Sequence, residues 1–440
     1  MRTVVVGAGP VGLYCAIVLA RAGHDVTIVD RDAGPTPDGT WDRKGVMQFR
    51  HPHFFRAITR QTFLDTAPDL WDAVVAAGGV AARPDGAPEF VTSLQCRRWV
   101  FESAVRAVAA VEPRLTLRRG HADGVVQHHG RLSGVVVDGQ VVEADQAIDA
   151  SGRNGRLGDE LRAPGEGGPC GFAYVSRMYQ AKPGVDGLAA TAMPQGSLYD
   201  GYLAILFPQD ANTLSTLIVR RDDDVELAEL RHREAFDLAM AALPGFAPWT
   251  DPDRFDPITE VMPGGGLTNT YRGQLDPNGA AALPGLFWVG DSMSTTNPAA
   301  GRGVSLGLSQ AATLLGMLAQ DADPGDTALR FQAWSDDNIR PWFEDHVYWD
   351  ATLSRRFTGA DIDLDARIPS DVICAAAEVD PSIFAGAGPY LGMLAPPNVL
   401  GPFEERAREI LRSGWRPPLA DGPSRTDLVE LIAPLVTATG

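Results

Sequence analysis

Among 440 residues there are only two lysines, Lys44 and Lys182, so nearly all positive charge is arginine. Arginine suits fixed bidentate contacts to phosphate or carboxylate, although a bias in base composition explains the skew as simply. The four cysteines, Cys15, Cys96, Cys170 and Cys374, are scattered, with no CxxC pair and no disulfide or zinc spacing. A reducing compartment fits. No run of about 18 apolar residues exists, which excludes a helical membrane span. Basic residues are outnumbered 38 to 56 by acidic ones, giving a net charge of -18. Such a surface repels phosphate backbones and anionic lipid, so neither nucleic acid nor a membrane surface is an expected partner. The apolar N-terminus carries a single arginine and is interrupted by glycines, unlike a signal peptide. The expectation is a soluble, cytoplasmic protein. Hydrophobic residues at 45% and charged ones at 21% exclude a mainly disordered chain.

What the sequence has is glycine in a telling place. Thr3 to Val6 forms an apolar, β-branched run, as a buried parallel strand should. Gly7-Ala-Gly9-Pro10-Val11-Gly12 follows, then a helical stretch from Leu13 to Ala22 that Gly23 terminates. A second strand, Val26 to Val29, ends on Asp30, 18 residues after Gly12. Gly7 permits the tight turn, Gly9 lets a pyrophosphate approach the backbone, and Gly12 allows close helix–strand packing. The helix N-terminus attracts phosphate. Asp30 accepts from ribose hydroxyls, and its charge argues for an unphosphorylated adenosine ribose. That leaves FAD or NAD.

Three later segments favour FAD. Arg97-Arg98-Trp-Val-Phe-Glu102 opens a helix to about Val111. A meander of Val125–His128, Leu132–Val137 and Val141–Ala144 leads into Ala147-Ile-Asp-Ala-Ser151-Gly152-Arg153. The apolar strand Leu286–Val289 runs into Gly290-Asp291 and then Asn297-Pro298-Ala-Ala-Gly301-Arg-Gly303-Val304-Ser305, which opens another helix. A carboxylate so far along the chain has no use in an NAD dehydrogenase, whereas the ribityl hydroxyls of a flavin need an acceptor.

At these residues the chain resembles the flavoprotein monooxygenases of the para-hydroxybenzoate hydroxylase type, and more closely their epoxidase-like branch. The stretch Arg43-Lys-Gly45-Val46-Met-Gln48-Phe-Arg-His51-Pro-His53 is similar to a signature of that branch. The resemblance covers roughly residues 1–330, and the C-terminal part is also similar to styrene-epoxidase-type enzymes. It implies an α/β fold: a Rossmann-like FAD-binding domain of glutathione-reductase type (1–164 and 276–326), an inserted antiparallel-sheet substrate domain (165–275) and a helical C-terminal region (327–440). It implies noncovalent FAD held by Gly7, Gly9, Pro10, Val11, Gly12, Asp30 and Arg31. Arg43 and Arg98 would lie near the pyrophosphate or flavin, with Ser151 and Gly152 beside them. Asp291 would meet the ribityl chain, the backbone of Gly303, Val304 and Ser305 would face the flavin pyrimidine, and Gly290, Pro298 and Gly301 would also bind the cofactor.

The implied activity is transfer of one oxygen atom from O2, through a flavin C4a-hydroperoxide, to a small organic, secondary-metabolite-like substrate by epoxidation or hydroxylation. A flavin reductase or dehydrogenase of an unsaturated lipid is the enzymatic alternative, and a protein that kept this fold without FAD is the other. NAD(P)H is the expected ultimate electron donor, directly or through a partner flavin reductase, because Ser151 stands where direct NADPH users carry an aspartate. Halogenation is disfavoured by the lack of a Trp-x-Trp-x-Ile-Pro stretch and by the positions of the two lysines.

In the remainder, strands are expected at Gly171–Ala181, Leu198–Phe207, Thr213–Arg220 and Thr268–Arg272, and a helix from Asp222 to Leu243. The glycines of Pro263–Gly266 read as a turn. A long helix over Ala328–Arg356 should kink at Pro341, and later helices should start at Ser370, Pro402 and Ser424. His51, His53 and Arg50 either cap a helix starting near Phe54 or line the site. Tyr199, Tyr202 and Tyr271 belong to a pocket or to the sheet core. His128-His129 reads as a solvated turn and Cys170 as a packed thiol. No metal site and no catalytic nucleophile is expected.

Overall fold

The computed structural model describes residues 1–43, 45–83, 92–185, 195–320 and 322–437. The chain opens with strand β1 (Arg2–Val6), helix α1 (Pro10–Arg21) and strand β2 (Asp25–Asp30). Helix α2 (Arg98–Ala109) and strand β3 (Leu115–Arg119) follow. A three-stranded antiparallel meander, Ala122–His128, Arg131–Val137 and Gln140–Glu143, then leads into β4 (Gln146–Asp149). The first meander turn carries His129 at φ 51° and Gly130 at φ 73°, the left-handed pair that a tight hairpin turn demands.

The inserted sheet comes next, with β5 (Phe172–Ala181), β6 (Gln195–Tyr199), β7 (Tyr202–Pro208) and β8 (Thr213–Arg221). The chain then returns as β9 (Leu286–Trp288) and helix α3 (Gly303–Leu318), and continues as α4 (Pro324–Asn338) and α5 (Arg340–Phe357).

The first sheet has the order β9-β4-β1-β2-β3, and every neighbouring pair is parallel. Val4, Val5, Ile28, Ile148 and Phe287 are buried in it, so these short strands read as continuous apolar runs. Its C-terminal edge gathers the Gly7 turn, Asp30, Asp149 and Gly290. Ligands of open α/β sheets bind at that edge.

The second sheet is antiparallel, in the order β6-β7-β8-β5 and then Phe255–Pro257, with Met262–Gly264 paired on β5. Side-chain alternation splits it into two faces. Phe172, Tyr174, Ile205, Phe207, Leu217 and Val219 pack with Phe54, Leu353 and Phe357 on the face toward the first domain. Tyr179, Tyr199, Tyr202, Ile218 and Leu214 pack with Phe236 and Leu428 on the opposite face.

Five expected elements differ. Pro263 and Gly264, expected in a turn, lie in the strand Met262–Gly264, held by pairing with Val175 and Tyr174. Leu198–Phe207 is a hairpin, because Gly201 at φ 89° turns the chain between β6 and β7. The span Asp222–Leu243 holds a short 3-10 turn, Leu227–Arg231, and then a helix, Arg233–Ala242, since His232 has extended backbone. Ala328–Arg356 breaks into α4 and α5 at Ile339, and Pro341 sits in the first turn of α5, where its missing N–H costs nothing. No helix starts at Phe54: Phe55–Arg56 pairs with Ser93–Gln95, and the helix begins at Ala57. The helix Phe384–Leu391 was not expected, whereas Ser370–Ala375, Gly401–Arg412 and Arg425–Thr437 start within one residue of expectation. No helix among the described residues is long and apolar enough to cross a membrane.

Candidate active site

A cleft of about 620 Å³ lies over the C-terminal edge of the parallel sheet. Its floor is backbone. A Cβ at Gly7 would sit 2.4 Å from the Ala150 carbonyl oxygen, and one at Gly12 would sit 1.8 Å from the Gly7 oxygen. A Cβ at Gly9 would meet only an Arg43 nitrogen, at 3.9 Å, so that stretch of backbone is open to the cleft. Gly9 is the N-cap of α1 and has no side chain to satisfy the first-turn N–H groups. Those donors, with the positive end of the helix dipole, make an anion site.

A chain of charges forms one wall. Asp30 Oδ2 accepts from Ala8 N at 2.7 Å and from Arg43 at 2.6 Å, while Oδ1 accepts from Asp32 N at 2.8 Å. Arg43 also donates to Glu102 at 2.5 Å, and Arg98 donates to the other oxygen of Glu102 at 2.5 Å. Arg98 reaches His53 Nε2 at 3.2 Å, and His53 Nδ1 lies 3.0 Å from the His51 carbonyl oxygen. That carbonyl can only accept, so His53 carries its proton on Nδ1 and accepts from Arg98 at Nε2. Burial and then the Arg98 charge push His53 down to about 3, so its ring is neutral. His51 is also neutral, pushed down to about 4 by burial. Its Nδ1 pairs with Ser176 Oγ at 2.7 Å, and its ring stands edge-on to Tyr174 at 4.9 Å.

Opposite lie Gly290, at φ 68°, and Asp291. The Asp291 carboxylate lines the cleft and accepts no hydrogen bond from the described residues. Burial raises its pKa, and Arg98 and Arg153 pull against that rise. Helix α3 starts just beyond, with Arg302 as N-cap and no side-chain cap bond, so a second bare helix N-terminus meets the cleft. Asn297 fixes the approach by accepting from Ala299 N at 3.1 Å. On the third side, Asp149 accepts from Ser151 N at 2.8 Å and holds the turn at Ser151-Gly152. Burial pushes Asp149 up to about 6.

Most expected cofactor residues line this one cleft: Gly7, Gly9, Pro10, Val11, Asp30, Arg31, Arg43 and Arg98 from the first half of the chain, then Ser151, Gly152, Gly290, Asp291, Pro298, Gly301, Gly303 and Val304. Gly12 and Ser305 do not. Gly12 is spent on packing against Gly7, and Ser305 Oγ bonds Arg56 N at 3.1 Å and Thr59 Oγ1 at 3.0 Å. His51 and His53 line the cleft, and no helix starts at Phe54 for them to cap. Arg50 points elsewhere, over the Trp99 ring and onto the Trp41 carbonyl. Tyr202 is buried on the far sheet face, stacked on Tyr199 and donating to the Pro423 carbonyl at 2.7 Å. Tyr271 donates to Asp336. The tyrosine that does reach the cleft is Tyr174, which the sequence reading passed over. Lys44 lies outside the described residues. No group of three or more potential metal ligands occurs among the described residues.

A supporting layer beneath α3 was also missed. Arg302 lies 4.7 Å from the Trp342 ring, 4.6 Å from Tyr390 and 5.3 Å from Trp349, and donates to His346 Nε2 at 3.1 Å. Asp350 accepts from the amides of Asn269 at 2.7 Å and Asn297 at 2.9 Å. Trp342, His346, Trp349 and Asp350 recur at helical spacing on one face of α5, the periodic signal that could have revealed the layer.

Residues 2–87 match the family model described as FAD dependent oxidoreductase. The whole architecture is similar to a triple mutant of the flavin-dependent brominase Bmp2, at 15% identity and a TM-score of 0.64, covering 93% of this chain and 99% of that one. It is also similar to PqsL, a probable FAD-dependent monooxygenase from Pseudomonas aeruginosa, at 15% identity and a TM-score of 0.60, covering 82% of this chain and 98% of that one. A third likeness is to 2-methyl-3-hydroxypyridine-5-carboxylic acid oxygenase, at 14% identity and a TM-score of 0.58, covering 90% and 97%. At such identities the likeness establishes a shared fold, an α/β fold with a parallel sheet, an antiparallel sheet and a helical C-terminal region.

Proposed function

We propose that this chain is an FAD-dependent monooxygenase, of the epoxidase-like kind, which transfers one oxygen atom from O2 to a carbon–carbon double bond or electron-rich ring of a small, secondary-metabolite-like molecule. The observation that carries the reading is the cleft itself. Two bare helix N-termini converge on it, and the half-buried Asp291 carboxylate faces it with no donor among the described residues. An elongated ligand with an anionic middle, hydroxyls and a polar far end fits that donor set, as FAD does. When bound and reduced, FAD supplies the electrons and the activated oxygen.

The chain's own residues then bind, orient and exclude water. The Gly9 backbone and the start of α1 take the pyrophosphate. Asp30, fixed by Arg43, takes the adenosine end, and Asp291 accepts from the ribityl hydroxyls. The start of α3 sets its positive dipole end toward a flavin ring that gains negative charge on reduction. Phe54, Phe207 and Leu217 line the apolar side of the cleft and keep water from the reacting atoms. Neutral His51, tied to Ser176, offers a polar contact there without introducing a charge. NAD(P)H is the electron source we assign, delivered through a separate flavin reductase.

The test is direct. The purified protein should carry a flavin absorbance released as FAD, and with reductant it should consume O2 and yield a product one oxygen atom heavier. Oxygen-independent reduction of the substrate, a brominated product in the presence of bromide, or failure to bind FAD would each overturn the proposal.

A further inference from the structure

Behind Phe54 lies a second, smaller cavity of about 160 Å³, lined by Phe172, Ile205, Val219 and Leu353 among others. It shares Phe54, Phe207, Ala299 and Gly301 with the large cleft, so the two spaces meet where α3 begins. A space of roughly 150 Å³ holds one benzene-sized molecule. Its walls come from four parts of the chain: the segment of Phe54 and Arg56, the inward face of the antiparallel sheet, the loop before α3, and α5 of the helical region.

Arg56, Asn297, Trp349 and Asp350 break this apolar surface. Asp350 lines the cavity from α5, and its two partners are the neutral side-chain amides of Asn269 and Asn297, one on each oxygen. A carboxylate has about four lone-pair sites, so each oxygen retains room for a further donor. No cation pairs with it directly. Arg302, the nearest favourable charge, is spent on His346 and Asp345, and Arg56 donates to the carbonyls of Leu391 and Ala300 with its plane over Phe54. Burial raises Asp350 to about 6, as expected of a buried carboxylate held only by neutral donors.

We propose that this cavity is a substrate subsite for an uncharged ring or branched alkenyl end of about benzene size that carries one O–H or N–H group, which Asp350 accepts. This rests on the reading of the large cleft as the FAD site, since the subsite opens onto the start of α3. Asp350 is thus a specificity-determining residue. An anionic substrate end is repelled by the same carboxylate, since the Arg56 guanidinium on the cavity wall is turned to the Leu391 and Ala300 carbonyls, and a bare hydrocarbon end leaves Asp350 without its third partner.

Three ring probes test this by calorimetry on the FAD-loaded protein: phenol and toluene, matched in size, and the larger anion benzoate. Phenol should bind about ten-fold more tightly than toluene, the value of one hydrogen bond to a charged acceptor, and benzoate should bind weakest. In Asp350→Asn the phenol advantage over toluene should vanish while toluene binding persists. Ile205→Trp should fill the cavity and abolish binding of phenol and toluene while FAD content and melting temperature hold. Equal binding of phenol and toluene by the wild type, preferred binding of benzoate, binding that survives Ile205→Trp, or no binding of any probe would overturn the subsite. Protein that takes up no FAD would instead sink the cofactor reading, and the same titrations on that protein would still decide the cavity.

Discussion

Arg43 sets one guanidinium nitrogen 2.6 Å from Asp30 and the other 2.5 Å from Glu102, joining the end of β2 to helix α2 through a single buried arginine. The Glu102 side chain is fully buried and held on its second oxygen by Arg98. Removing the central cation leaves two buried carboxylates facing each other. Such losses cost about 3–5 kcal/mol. Arg43→Ala should therefore lower unfolding free energy by that amount in urea and also weaken FAD binding, because Asp30 loses its orientation. Wild-type stability of the variant would refute the structural half of this prediction.

Asp291 should behave in the opposite way. Burial raises its pKa and no described residue donates to it, so its charge is a cost to the protein alone. Asp291→Asn should leave the melting temperature of FAD-free protein unchanged or higher, yet weaken FAD binding by about 1.5–3 kcal/mol, the value of a hydrogen bond to a charged acceptor. Titration of FAD-free protein gives the affinity and a thermal melt gives the stability. A variant with wild-type FAD affinity would remove Asp291 from the cofactor site.

The neutral histidines give a pH signature. His51 lies near 4 in the fold, against an ordinary value of 6.5, with burial as the cause. Between those values the unfolded chain holds a proton that the folded chain has released, so this contribution to stability rises as pH climbs from about 4 to 6.5. It is worth up to about 3 kcal/mol across the window. His51→Asn should flatten the pH dependence of unfolding free energy there, and a wild-type slope in the variant would contradict a neutral, buried His51.

Tyr202 shows where the sequence stopped being legible. Its candidacy rested on residue type, but sheet parity decides which face a side chain takes, and parity within β7 depends on where Gly201 turns the hairpin. The single strand expected over Leu198–Phe207 hid that turn. The glycine cradle and the acids at strand ends were legible because each is a local pattern with one backbone purpose. The layer under α3 was not, since Arg302, Trp342, His346 and Asp350 meet only through packing between distant elements. Tyr202→Phe should accordingly lose the bond to the Pro423 carbonyl and about 1 kcal/mol of stability, with FAD binding and turnover per folded molecule unchanged. A selective fall in turnover would return this tyrosine to the site.

The electron source makes the last prediction. Among the described residues the parallel sheet carries one glycine turn between a strand and a helix N-terminus, at Gly7–Gly9, and the antiparallel sheet offers no second. Ser151 contributes its backbone N–H to Asp149, which is buried and spent on holding the turn, so no carboxylate projects from this turn to order a nicotinamide. The Arg153 guanidinium faces the cleft and donates to the Met47 sulfur at 3.6 Å, and Arg156 pairs with Asp159 on the surface. An arginine held so loosely attracts a pyrophosphate but does not orient a hydride donor against a flavin, which needs several fixed contacts. Under anaerobic conditions, excess NADH or NADPH should therefore leave the flavin band of the FAD-loaded protein intact over minutes, and the band should bleach once a flavin reductase is added. Rapid bleaching by the nicotinamide alone would mean that Arg153 and its neighbours suffice for docking, and that the enzyme reduces its own flavin.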